Sequence, residues 1–128
     1  MERDFKKFNK NYSKIDPSKF LHKDLSLERW FKFAFVEQMA NVGAEIGRTV
    51  KWKQTDIKHS NGAFARGMEL LCLTIGDPKN KKHLNKLLEI KDGLIDHFVG
   101  SNKYETTDEQ WDKYFYAFGY IAAINRGR

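Results

Sequence analysis

The chain has one cysteine and two prolines, and no apolar run near the roughly 20 residues needed to cross a bilayer. A single Cys72 excludes an internal disulfide, and within MELLCLTI it reads as a small buried residue of a protein kept in reducing surroundings. Nine glycines and two prolines among 128 residues, with 41% hydrophobic content, exclude a disordered low-complexity chain and leave enough apolar surface for one packed domain. The charged opening MERDFKKFNK has no apolar stretch of signal-peptide type behind it, so a cytoplasmic protein with no membrane partner is expected.

Signatures of catalysis are missing as well. Gly-x-Ser-x-Gly, Walker-type and dinucleotide glycine patterns do not occur, and the glycines of NVGAEIG lie inside a helical pattern rather than after a strand. Glu-x-x-His, which di-iron bundles repeat on two helices, is absent, and His22, His59, His83 and His97 fall on four separate segments. The Arg-polar-x-x-x-His spacing of helical ribonucleases is not found before a histidine of the third or fourth helical pattern. Glu37, Glu69 and Asp96 are the carboxylates that could share a centre, but boundary acids paired to Arg48 or Arg66 are the preferred reading. The expectation is a non-enzymatic protein with no metal and no cofactor.

What the chain does have is helical periodicity. Ser26 to Lys53 reads as one long helix with Phe31, Phe35, Met39, Val42, Ile46 and Val50 on one stripe and Trp30 and Phe33 on a neighbouring one. Within it, Ala40, Gly43, Ala44 and Gly47 form a ridge of small side chains suited to close approach by another helix, which would offset the roughly 1 kcal/mol that each internal glycine costs. Thr55 to Asn61 reads as a connection, followed by a short second helix capped at Ser60 or Asn61. Gly76-Asp77-Pro78 reads as a stop, cap and restart. The third helix then runs to Val99, with Lys91 among its buried positions. Thr107 and Gln110 have capping-box spacing at the start of a fourth helix over Asp108 to Asn125. Trp111, Tyr114, Phe115, Phe118, Ile121 and Ala122 are assigned to its inner side, and Tyr116, Tyr120 and Ile124 to an exposed strip. The prediction is an all-α fold, an up-down-up-down four-helix bundle over 26–128, preceded over 1–25 by a basic arm in which Phe5, Phe8, Tyr12 and Ile15 share a helical side.

A net charge of +6 favours an acidic partner, RNA or DNA first and a protein second. Two groups carry the candidate contacts: Arg48, Lys51, Trp52 and Lys53 at the end of the first helix, and Lys79, Lys81, Lys82 and Lys86 at the start of the third. The latter are cations on the unfavourable end of a helix dipole. In an antiparallel bundle these groups stand at opposite poles and meet only through oligomerisation. The small-residue ridge and the Tyr116–Tyr120 strip are the candidate surfaces for a second copy or a regulatory partner.

Three blocks, ERWFKFAFVEQMANVGAEIGR, ELLCLTIGDPKNK and TTDEQWDKYFYAFGY, resemble a family of small, uncharacterised bacterial all-helical proteins. That resemblance spans about residues 26–125 and implies a helical fold without transferring any functional residue. In size, charge and helix order the chain is also similar to ribosomal-RNA intervening-sequence proteins and to accessory proteins of diversity-generating retroelements. Those are basic helical bundles that form pentameric rings, and the accessory proteins bind nucleic acid and a reverse transcriptase. The similarity is one of fold alone and implies a nucleic-acid-associated accessory role without naming residues.

Overall fold

A computed structural model of the chain describes residues 27–127. Within them lie five α-helices: α1 (Leu27–Lys32), α2 (Phe35–Trp52), α3 (Ile57–Gly76), α4 (Leu84–Phe98) and α5 (Asp108–Arg126), with a 3-10 segment at Pro78–His83. All regular structure among the described residues is helical, and no helix there is long and apolar enough to cross a membrane. The arm over 1–25 and the Ser26 cap lie outside the described residues.

The stretch expected as one helix from Ser26 to Lys53 is two helices. Ala34 is extended, with φ −62° and ψ 153°, and the Trp30 carbonyl accepts from the Phe33 N–H (3.1 Å) and from the Gln38 side-chain amide (3.0 Å). No helix breaker stands in FKFAF; the break comes from tertiary demand. It lets Trp30 turn inward, 3% exposed, where its Nε1 donates to Thr74 Oγ1 of α3 at 3.2 Å. An indole buried with its donor satisfied gains large apolar contact without a desolvation loss.

Gln38 anchors the same junction. Its Nε2 also donates to Asp77 Oδ2 (2.8 Å), and Asn80 Nδ2 donates to Gln38 Oε1 (2.8 Å) and to the Thr74 carbonyl (2.9 Å). Buried polar groups that are mutually satisfied fix one geometry, because any slip leaves a donor unpaired. The corner predicted at Gly76-Asp77-Pro78 is present: the Asp77 side chain accepts from the Lys79 N–H, and Pro78 opens the next segment. That segment is 3-10 as far as His83, so α4 starts later than expected.

Helix α3, expected to be short, is the longest of the described helices at 20 residues. Asp56 caps it, accepting from the His59 N–H at 3.2 Å, which pulls its start ahead of the expected Ser60 or Asn61. Ser60 is instead a buried tie, donating to the Thr49 carbonyl at 2.8 Å. At Gly67, a Cβ would lie 3.2 Å from Glu45 Cβ, so the glycine sets how closely α3 approaches α2. The Thr107–Gln110 capping box at α5 is formed.

Helix α2 is central, packing along both α3 and α5. Met39, Val42 and Ile46 of α2, Leu70, Leu71 and Leu73 of α3, Leu87, Ile90 and Leu94 of α4, and Phe115 of α5 form the core. Burial of such side chains, about 1.5–3 kcal/mol each, is what orders the helices against chain entropy.

Candidate interaction surfaces

The two surfaces that the sequence offers separately for a partner adjoin each other in the fold. Ala40, Gly43 and Ala44 of α2, with Gly119 and Ala123 of α5, line a trough of about 590 Å³. Tyr116 and Tyr120 stand along it, 70% and 59% exposed, their rings stacked at 6.3 Å and 24°. Ile121 and Ile124 add to the exposed apolar surface of α5. Helical spacing places Ile121 on the inner side, but α5 buries only Phe115 and Ala122, because its contact with the other helices is made chiefly along α2.

Part of the small-residue ridge serves the chain itself. A Cβ on Gly43 would stand 2.6 Å from Phe115 Cβ, so the close approach expected for a partner helix is made here by α5. Gly47 does not line the trough, and nothing described lies within 4 Å of where its Cβ would stand. At the α5 N-terminal end of the trough, partial desolvation and then the charges of Asp108 and Glu109 push the Asp112 carboxyl above its usual range.

The basic groups stand at opposite ends of α2, about 27 Å apart for a helix of 18 residues. At one end Lys79 reaches the Phe31 carbonyl (3.0 Å) and pairs with Asp77, while the neighbouring His83 ring stacks on Phe35 at 4.3 Å. Burial pushes the Asp77 carboxyl up, but hydrogen bonds from Lys79 and Gln38 outweigh it and hold the group below its usual range. At the other end Lys53 Nζ lies 3.0 Å from both oxygens of Asp108, whose Oδ1 is also 2.7 Å from His97 Nε2. Arg48 pairs with Glu45 at 2.7 Å. Lys51 sits over the Trp52 ring at 5.1 Å, and Lys86 is 3.8 Å from Glu89. Lys81 and Lys82 are exposed. Several candidate cations are thus held by the protein's own carboxylates, which reduces the positive potential available to a polyanion.

Two of the three candidate carboxylates have structural partners of their own. Glu37 binds Arg126 of α5 (2.8 Å). Asp96, 1% exposed, accepts the N–H groups of Lys103 and Tyr104 and so ties down the loop before α5. The carboxylate that pairs with both Arg48 and Arg66 is Glu45, at 2.7 and 2.9 Å. Among the described residues no group of three or more His, Cys, Asp and Glu is placed to hold a metal ion. Cys72 is buried; desolvation pushes its thiol up to about 12 even with Lys91 nearby, which keeps it protonated and unreactive.

The trough residues that sequence reading missed are Asp112, Gly119 and Ala123. The four-residue spacing of Gly119 and Ala123 beside Phe115 was the available signal, a small-residue row on α5 matching the one on α2. Comparison of the chain with protein-family models, with curated proteins and with solved structures found no match.

Proposed function

We propose that the chain is a non-enzymatic assembly module, an up-down-up-down bundle of α2 to α5 that pairs with a second copy of itself through the α2–α5 face. The single observation behind this is the arrangement of that face, where a ridge of two exposed tyrosines adjoins a trough of small residues. A twofold contact requires one patch to complement itself. A ridge set beside a groove does so, because rotation by half a turn lays each ridge into the other copy's groove.

A basic accessory role follows from the same pairing. With the twofold axis crossing α2, helices of the two copies run antiparallel, and the Arg48–Lys53 end of one copy lies near the Lys79–Lys86 end of the other. Two weak groups, separate in one chain, then form a continuous surface for the RNA or DNA that the +6 charge favours.

Sedimentation velocity across a concentration series tests the assembly. The parent chain is expected to dimerise and a Tyr116→Lys, Tyr120→Lys variant to remain monomeric; a parent that stays monomeric overturns the reading. A mobility-shift titration over salt tests the second part. Affinity that falls steeply with salt and drops in the monomeric variant supports it, and affinity no better than that of a neutral control protein overturns it.

A further inference from the structure

A second concavity, away from the trough, lies between α4, the loop before α5, and the first turns of α5. It has a volume of about 550 Å³, within the range that small-molecule sites occupy. Three aromatic rings line it, Tyr104, Trp111 and Tyr114, together with the carboxylates of Asp92 and Glu89 and one lysine, Lys86.

The rings are held in place. Trp111 Nε1 donates to Thr106 Oγ1 at 3.0 Å. Gly93 lets the indole lie against α4, for a Cβ there would be 2.9 Å from Trp111 Cζ2. Tyr104 is 51% exposed and yet fixed at both ends. Its N–H donates to Asp96 Oδ2 at 3.1 Å, and its hydroxyl donates to Asp92 Oδ2 at 2.6 Å. Two turned-up loop residues, Asn102 and Glu105 with φ 58° and 53°, carry the chain around this corner. Pre-set aromatic walls need no ordering when a ligand arrives.

The lining indicates the ligand. Asp92 and Glu89 stand beside the rings, with Lys86 within 3.8 Å of Glu89. Asp92, only 9% exposed, accepts from the Tyr104 hydroxyl, and that hydrogen bond holds the hydroxyl above its usual range. An ammonium group already uses one of these rings: Lys103 Nζ stands 4.9 Å from the Tyr104 centroid. Electron-rich ring faces beside a carboxylate attract an organic cation and repel phosphate.

We propose that this cleft binds a small alkylammonium ion, its head group set among the rings of Tyr104, Trp111 and Tyr114 and drawn by the charges of Asp92 and Glu89. The test is an NMR titration that follows the Trp111 indole N–H as choline is added, against the neutral isostere 3,3-dimethylbutan-1-ol. Choline is expected to give a saturable shift confined to Trp111 among the three tryptophans, with the isostere binding roughly ten-fold more weakly or worse. Asp92→Asn should weaken choline by a similar factor. Glu89→Gln, on the exposed rim where folding is not at stake, should weaken it two- to three-fold by about the strength of one screened charge. Equal binding of the two probes, a shift that never saturates, or no change in either variant overturns the proposal.

Discussion

Gly43 and Gly47 look alike in the sequence, two glycines one helical turn apart on the same ridge, and the fold gives them opposite roles. A methyl at Gly43 would collide with Phe115, whereas one at Gly47 meets open space. Gly43→Ala should therefore destabilise the protein by about 1–3 kcal/mol through overpacking, while Gly47→Ala should gain up to about 1 kcal/mol from helix propensity. Urea unfolding of the two variants checks both signs. Lys91 was legible as a buried position from periodicity, but its consequence needs the structure. It is 1% exposed, and desolvation lowers its pKa from 10.5 to about 8 even with Cys72 alongside. Between these values the unfolded chain binds more protons than the folded one, so stability rises with pH from about 8. From 9.0 the Cys72 thiol, held protonated up to about 12 when folded, opposes that rise. The net gain should fall between about pH 8 and 9, at no more than about 1.4 kcal/mol per unit. Urea midpoints across that range should climb in the parent and stay flat in Lys91→Met.

At the scale of elements, the caps were the most legible features and the breaks the least. The Thr107–Gln110 box and the Gly76-Asp77-Pro78 corner are local hydrogen-bond chemistry, written in residues three or fewer apart. The division between α1 and α2 has no such local cause, because FKFAF holds neither glycine nor proline and no capping residue. It exists because Trp30 meets Thr74, 44 residues away, and because Gln38 takes up the carbonyl left by the bend. Gln38→Leu should therefore cost about 1–3 kcal/mol even though leucine fits a helix well, since Asn80 and the Trp30 carbonyl each lose a buried partner. Faster amide exchange through α1 in that variant, with α5 unaffected, would place the loss at this junction. The early start of α3 was missed for a similar reason: Asp56 and the Ser60–Thr49 tie extend the helix into a stretch whose polar composition reads as a loop.

For the molecule as a whole, the two apolar stripes of α2 are used in packing along both α3 and α5, which leaves α5 with one outer face uncovered. If that face is an interface, stability is linked to assembly, and the thermal midpoint should rise with protein concentration in the parent but not in the Tyr116→Lys, Tyr120→Lys variant. Differential scanning calorimetry over a hundred-fold concentration range measures this. The helical class, most of the core and the outward direction of Tyr116 and Tyr120 follow from periodicity and capping, which act over one or two turns and so can be read along the chain. Which glycine admits α5, which lysines are tied to carboxylates, that Asp92 and Trp111 share a cleft, and that the small ridge and the tyrosine strip adjoin emerge with the folded packing. Each of these depends on contacts between residues far apart in the chain, whose geometry is set by how side chains of different helices interlock and by which buried polar groups find partners.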